Sequence, residues 1–374
     1  MNLGADKKTL SIAGTMAATT VGAGIFGLPY IFAYSGWFLA GAYLLILALI
    51  VAYVHRLYLR TVKESYGRHR LLGLSEECGG RPLRFLGVIV ILGGLTLTLV
   101  AYLILVGNLI ELVLPGYEIW ALLIFWLLTT AIIEFKTKQI IFSESLGTLV
   151  IMCAVLGIMA FGIMNPSSSL REYPALNWTK ILLPFGPVLF ALAGWTAVEP
   201  VCEYARKQGL SLRESFRGMN QGTLLSALVY VSFVIGILIS APVVAPDTLS
   251  GLNNWQLPGM ALVTILAFFA IWTSYVPIGL EIKHSAETDL GWSRWWSSIL
   301  VFALPPTLLF MGLRDFLGVI GLIGGVFLGL EYVLILWVSK KILRLRGREG
   351  SGALALMTLF VLAAIYEIWV FVLG

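Results

Sequence analysis

Apolar runs long enough to cross a bilayer follow one another along the whole chain, separated by polar stretches. A spanning helix needs about 20 mostly apolar residues. Eleven runs are read as spans: 9–34, 36–58, 83–113, 118–134, 140–164, 180–203, 219–240, 259–281, 294–312, 315–339 and 351–373. The pattern predicts an all-α polytopic membrane protein with eleven transmembrane helices. The third run is longer than a bilayer requires, which predicts a tilted helix.

Two of the runs carry helix breakers near their middles. The first contains Gly22-Ala23-Gly24-Ile25-Phe26-Gly27, with Pro29 two residues on. The sixth contains Pro184, Gly186, Pro187, Gly194 and Pro200. Glycine and proline weaken a helix. At membrane depth the freed backbone groups are tolerated only where they line a cavity or bind something. Five spans separate the starts of the two runs, so they enter from opposite faces. Two interrupted spans at corresponding places in two oppositely oriented halves predict a midplane site between inverted repeats. The glycine cluster also fits G-x-G-x-x-G, the dinucleotide fingerprint. That reading needs a preceding strand and an acidic residue about 20 positions on. Here the flanks are membrane-like, and residues 41–53 contain no Asp or Glu.

Composition agrees with the runs. The 374 residues are 59% hydrophobic and 12% charged, against about 25% charged in soluble domains. The net charge of +5 is explained by topology. With the N-terminus inside, 22 of the 25 Lys and Arg fall in inner loops, and Arg171, Lys180 and Arg314 fall outside. Positive residues stay on the cytoplasmic side, so the N-terminus is expected in the cytoplasm and the C-terminus outside, in a plasma (inner) membrane. Anionic lipid headgroups are the expected partners of the basic loops; no nucleic-acid partner is expected. In loop 60–82, Leu71 to Glu77 predict a short interfacial helix. Loop 241–258, with Pro242, Pro246, Asp247, Trp255 and Pro258, predicts an outer cap over the site. No cleavable leader is expected. Cys78, Cys153 and Cys202 have no CxxC spacing, and His55, His69 and His284 are scattered, so no metal cluster is expected. Nucleophile–base pairs and phosphate loops are missing as well, and an enzyme is not expected.

An opened helix offers N–H donors and a partial positive charge at one side of the break, and free carbonyls at the other. A zwitterion with a carboxylate and an ammonium fits both. The N–H groups of Val21 to Phe26 are therefore expected to face a carboxylate, and the carbonyls of Phe190 to Ala193 an amine. Tyr102 lies too deep for an interfacial belt, so its hydroxyl is a candidate donor to the carboxylate. Phe190 is a candidate lid, and Trp195 and Trp272 candidates for shaping a side-chain pocket. No charged residue falls within the breaks, so the expected substrate is a neutral amino acid. Among the acids of the spans, Glu111 lies toward the outer part of the third, and Glu144, Glu281 and Glu331 lie nearer helix ends. Glu203 and Glu281 are expected at the interface near Arg206 and Lys283. Glu199, deeper in the sixth span, is a functional candidate by default, as a proton site or as an inner gate with a basic partner.

Residues 22–29 with Tyr30 to Gly36 resemble the first-helix motif of amino acid permeases of the APC superfamily, most of all the amino acid/auxin permeases and the hydroxy/aromatic amino acid permeases. Ala101 to Gly107, Leu189 to Trp195 and Phe269 to Tyr275 resemble the third, sixth and eighth helices of those proteins. The resemblance implies the five-plus-five inverted-repeat (LeuT-like) fold with helices 1 and 6 unwound. It divides the chain into a first repeat at 1–164, a second at 165–339 and an additional helix in 340–374. With the chemistry of the opened helices, the expected substrate set is Val21, Gly22, Ala23, Gly24, Ile25, Tyr102, Phe190, Ala191, Ala193 and Gly194. In sodium-coupled members an ion sits between helices 1 and 8, which here selects Ala18, Val21, Ala270, Thr273 and Ser274. Residues 270, 273 and 274 share one helix face, and carbonyl and hydroxyl oxygens suit a hard cation. Some proton-coupled relatives place a lysine on the fifth helix; residues 139–164 contain no Lys or Arg. The expected protein is a monomeric secondary transporter, importing a neutral amino acid with sodium as coupling ion and no organic cofactor. The alternatives are a proton-coupled symporter or exchanger using Glu199, and an amino acid sensor that does not transport.

Overall fold

The computed structural model describes residues 3–65, 70–135, 140–167, 172–253 and 255–373. Lys136, Lys138, Arg68, His69 and Arg171 lie outside the described residues, as does the side chain of Glu144. Fifteen α-helices occur among the described residues, with no strand.

The first span is broken where its glycines predict. Helix α1 (Leu3–Thr20) ends with Val21 N–H on the Ala17 carbonyl at 2.9 Å. Gly22 then adopts φ −135, ψ −144, a 3-10 turn covers Ala23–Gly27, and α2 (Leu28–Ser35) follows. Pro29 falls in the first turn of α2, where no backbone N–H is needed. The two parts meet at a bend of 57°. Gly36, at φ +106, ends α2 in a conformation that favours glycine, and α3 (Trp37–Glu64) runs back.

The segment expected to form a short interfacial helix is helical and longer than expected: α4 covers Leu71–Gly87 and carries a non-helical Gly80 at φ +68. It continues through a π turn at Val88–Leu92 into α5 (Gly93–Val113), the third span. Helices α6 (Glu118–Phe135) and α7 (Ile140–Met164) follow. The sixth span is broken as well. Helix α8 (Phe185–Ala191) stops, a 3-10 turn covers Trp195–Ala197, and α9 (Val198–Lys207) resumes. Helix α10 (Leu212–Ser240) starts with a capping box between Ser211 and Glu214. The remainder is α11 (Leu257–Thr288), α12 (Arg294–Phe310), α13 (Phe316–Leu322), a π turn at Ile323–Leu328, α14 (Gly329–Ile342) and α15 (Gly347–Leu373).

Among the described residues, eight helices are long and apolar enough to cross a membrane, or nine counting the bent first span. The other two expected spans are α6 and α12, at 18 and 17 residues. The chain is a multi-pass membrane protein.

Packing is close where small residues face each other, as in membrane bundles. A Cβ on Gly162 of α7 would lie 2.7 Å from the Gly236 carbonyl of α10. Leu45, Leu49, Ile124, Leu156, Leu228, Phe268 and Ile365 are exposed; that apolar outer surface suits lipid contact. Basic turns gather at one end of the bundle, where Lys8 reaches the Gln208 carbonyl and Lys341 that of Cys78. At the opposite end Trp37 and Phe38 N–H groups donate to the carbonyls of Pro174 and Ala175.

Candidate functional site

The two breaks meet in the middle of the bundle. A Cβ on Gly24 would lie 2.5 Å from the Ala191 Cα, so the broken backbones touch and only glycine fits. Tyr230 of α10 joins them: its hydroxyl sits 2.7 Å from the Thr20 carbonyl and also bonds that of Ala191. One proton is thus shared between the carbonyl ends of α1 and α8, satisfying groups that the breaks free. Tyr230 was not foreseen from the sequence. The signal was available: it is a hydroxyl deep in an apolar run, the same reason Tyr102 stands out.

Tyr102 lies against the first break. Its oxygen accepts from Ala23 N–H at 3.0 Å, and a Cβ on Gly22 would overlap it. One of the donors expected to face a carboxylate is therefore occupied by Tyr102, whose own proton remains free to donate. On the other break, the Phe190 carbonyl accepts from Ala193 N–H at 3.1 Å and the Ala191 carbonyl is held by Tyr230. Two of the four expected amine acceptors are thus already engaged, each with a second lone pair to spare.

A cavity of 360 Å³ opens between the breaks, within the range of small-molecule sites, about 300–1,000 Å³. Ala18, Gly22, Ala23, Gly24, Tyr102, Phe190, Ala193, Thr273 and Ser274 all border it. Val21, Ile25, Ala191, Gly194 and Ala270 do not. Trp195 borders the cavity, whereas Trp272 does not. Trp272 instead stacks on Phe268 at 6.3 Å, on a lipid-facing side, which corrects its expected pocket role. Thr273 donates to the Phe269 carbonyl at 2.7 Å, leaving its lone pairs available. Ser274 Oγ is buried beside the Tyr102 hydroxyl, and a Cβ on Gly22 would lie 3.1 Å from it.

The cavity extends toward the basic end, where Arg70, Glu281 and His284 border it. Arg70, the residue before α4, pairs with Glu281 of α11 and stands 3.4 Å from Glu199 of α9. Tyr58 of α3 donates to the other oxygen of Glu199 at 2.6 Å. Four elements are held by one guanidinium, two carboxylates and a phenol. Arg70 also borders a second cavity of 660 Å³ that includes Glu199, so this network separates the central cavity from the inner groove. The neighbour expected for Glu281 is corrected here. Glu281 takes Arg70, while Lys283 is fully buried and takes Glu134. Glu203 pairs with Lys207 at 2.6 Å. Glu331, expected near a helix end, is buried in the continuous run Phe316–Ile342 and borders the cavity.

Described residues of the 241–258 loop, the expected outer cap, touch the first broken span. Thr248, at φ +62, donates to the Phe26 carbonyl of the first broken span. Asp247 accepts from Asn108 and from Ser250 N–H. Trp255 donates to the Ser240 carbonyl at 2.7 Å.

The geometry has counterparts among known proteins. The chain is similar in structure to a mutant of the manganese transporter of Eremococcus coleocola, with a TM-score of 0.67 and 13% identity over 97% of this chain and 87% of that one. It is similar to MhsT in complex with L-phenylalanine, with a TM-score of 0.64 and 15% identity over 96% of this chain and 97% of that one. At such identities the likeness shows a shared transporter fold. No protein of curated function matches the sequence. The sequence model of the tryptophan/tyrosine permease family matches residues 6–368. The chain belongs to the tryptophan/tyrosine permease family, an amino acid transporter and not an enzyme.

Proposed function

We propose that this permease imports an aromatic, net-neutral amino acid by alternating access and binds it between the two broken spans. The observation that carries this reading is the single cavity bordered by both unwound backbones and by Tyr102, Phe190 and Trp195. The family it belongs to names tryptophan and tyrosine, and the phenylalanine of a structural neighbour is of the same class. The carboxylate is taken by those N–H groups of the first break that are not already bonded within the protein, with the Tyr102 hydroxyl, and the amine by carbonyls of the sixth-span break. Eleven spans in a five-plus-five inverted repeat, a cytoplasmic N-terminus, an extracytoplasmic C-terminus and a monomer in the plasma membrane complete the reading.

Sodium is the proposed coupling ion, held by the carbonyls of Ala18, Val21 and Ala270 and the hydroxyls of Thr273 and Ser274. The buried Ser274 Oγ beside Gly22, on the cavity wall, supports it. A second reading couples transport to protons. Glu199 is a poor candidate for that role because Arg70 and Tyr58 hold it; it is better read as a gate. Glu331, buried on the cavity wall, keeps the proton reading open.

Purified protein in liposomes, given labelled tryptophan, tyrosine or phenylalanine, tests both readings. One arm carries an inward sodium gradient and the other an inward proton gradient, at equal membrane potential. Sodium-driven accumulation supports the first reading and proton-driven accumulation the second. Binding with no accumulation in either arm would return the exchanger and sensor alternatives, and absence of binding would refute the aromatic substrate.

A further inference from the structure

Glu331 is the acid of the cavity wall that nothing neutralises. Its side chain is 1% exposed, and its Oε2 is buried with no hydrogen-bond partner. No Lys, Arg or His lies within ion-pair distance of it among the described residues. The cation of the cavity, Arg70, is committed to Glu199 and Glu281. A lone carboxylate in such surroundings carries a desolvation cost that a neutral carboxylic acid does not.

Its neighbours do not change that account. From α5, Gly94 packs so closely that a Cβ there would lie 3.0 Å from Glu331 Oε1. From the break of the sixth span, the Trp195 indole N–H donates to the carboxyl, a neutral donor that brings no counter-charge and leaves Oε2 unpartnered. From α3, His55 is buried and contacts Tyr332 at 3.4 Å, while Tyr58 is bonded to Glu199. From α4, Glu76 pairs with Arg84, and Lys341 of α14 reaches the Cys78 carbonyl. From α15, Glu367 lies against Gly186 and Gly325. Across the cavity stand Tyr102, Glu281 and His284. None is a positive partner for Glu331.

Two features connect this acid to transport. It lies in the first turn of α14, three residues after the π turn Ile323–Leu328, and π turns inside helices mark functional positions. It also faces Trp195, which sits in the broken sixth span between the substrate cavity and α9.

We infer that Glu331 is a proton-binding site coupled to the substrate cavity through Trp195, loaded and emptied once in each transport cycle. A hydronium ion from the cavity water gives its proton to a carboxylate oxygen, leaving water and a neutral acid. The reverse transfer, to water of the compartment that the cavity next faces, restores the carboxylate. A change in the position of Trp195 when substrate binds alters the space and solvent around the acid. That links proton occupancy to substrate occupancy. This inference rests on reading the cavity as the substrate site and on the proton-coupled of the two readings proposed above.

The test compares the wild type with Glu331→Gln and Glu331→Asp in liposomes and by infrared difference spectroscopy in detergent. In the wild type, the carbonyl stretch of a protonated carboxylic acid is expected without substrate, and it should shift when tryptophan is added. Glu331→Gln should lose that band and lose proton-driven accumulation while keeping tryptophan counterflow. Glu331→Asp, which keeps the carboxyl on a shorter stem, should keep a band and show a displaced pH profile of uptake. Absence of the band from the wild type overturns the inference. So does proton-driven accumulation by Glu331→Gln, or an undisplaced profile in Glu331→Asp. If the wild type binds no aromatic amino acid, the substrate reading fails alone, and the substrate-free band still decides the state of Glu331.

Discussion

The hydroxyl of Tyr230 stands 2.7 Å from the carbonyl of Thr20, the last residue of the first helix before its break. The same hydroxyl reaches Ala191, the last residue of α8. A side chain of the seventh span thus ties together the carbonyl ends of two half-helices that approach from opposite faces.

Tyr230→Phe removes that tie and leaves two buried carbonyls short of a partner. An unsatisfied buried group costs about 1–3 kcal/mol. Expected results are a lower melting temperature and weaker substrate binding, measured by thermal shift with and without tryptophan. Equal melting curves for the two proteins would show that the tie carries no weight.

Gly24→Ala places a Cβ 2.5 Å from backbone of Ala191, where no flexible side chain is available to yield. The two broken spans must separate, and uptake should fall to background while the protein remains monodisperse. Gly107→Ala meets nothing within 4 Å and serves as the control. Wild-type uptake by Gly24→Ala would contradict the close approach of the breaks.

Removing both hydroxyls with Thr273→Ala and Ser274→Ala should abolish sodium stimulation of uptake while leaving sodium-independent exchange. Uptake measured against external sodium reads this directly. A retained sodium dependence would assign these residues to packing, as the Thr273 bond to the Phe269 carbonyl permits.

Arg70→Gln releases Glu199 and Glu281 from their shared guanidinium. The basic end should open more often, and a cysteine introduced at Thr98, on the cavity wall, should be labelled faster from that side. A closure weakened by about 1.4 kcal/mol corresponds to tenfold. Unchanged labelling would exclude Arg70 from gating.

Glu134→Gln leaves Lys283, which is 0% exposed, without its carboxylate. Breaking a buried pair in this way costs about 3–5 kcal/mol. Lys283→Met should cost less, because Glu134 is part-exposed and retains Arg294 and Ser298. Thermal unfolding of the two variants decides the order.

What the sequence by itself determined is what depends on residues adjacent in the chain. Apolar runs mark segments that lipid accepts. Gly22, Gly24 and Pro29 cannot sustain a helix wherever that segment is placed, so the first break was legible at its residues, and Gly194 with its neighbouring prolines did the same for the sixth. The gathering of Lys and Arg in alternate turns was equally legible. The tertiary structure alone decided which freed backbone groups remain available. Ala23 N–H goes to Tyr102, 79 positions away, and Thr20 to Tyr230, 210 positions away. It decided that Glu281 faces Arg70 and not Lys283, two residues along its own helix, because successive helical positions point to different neighbours. It also decided that Glu331 is enclosed, since the cost of burying a charge depends on what other helices bring to it.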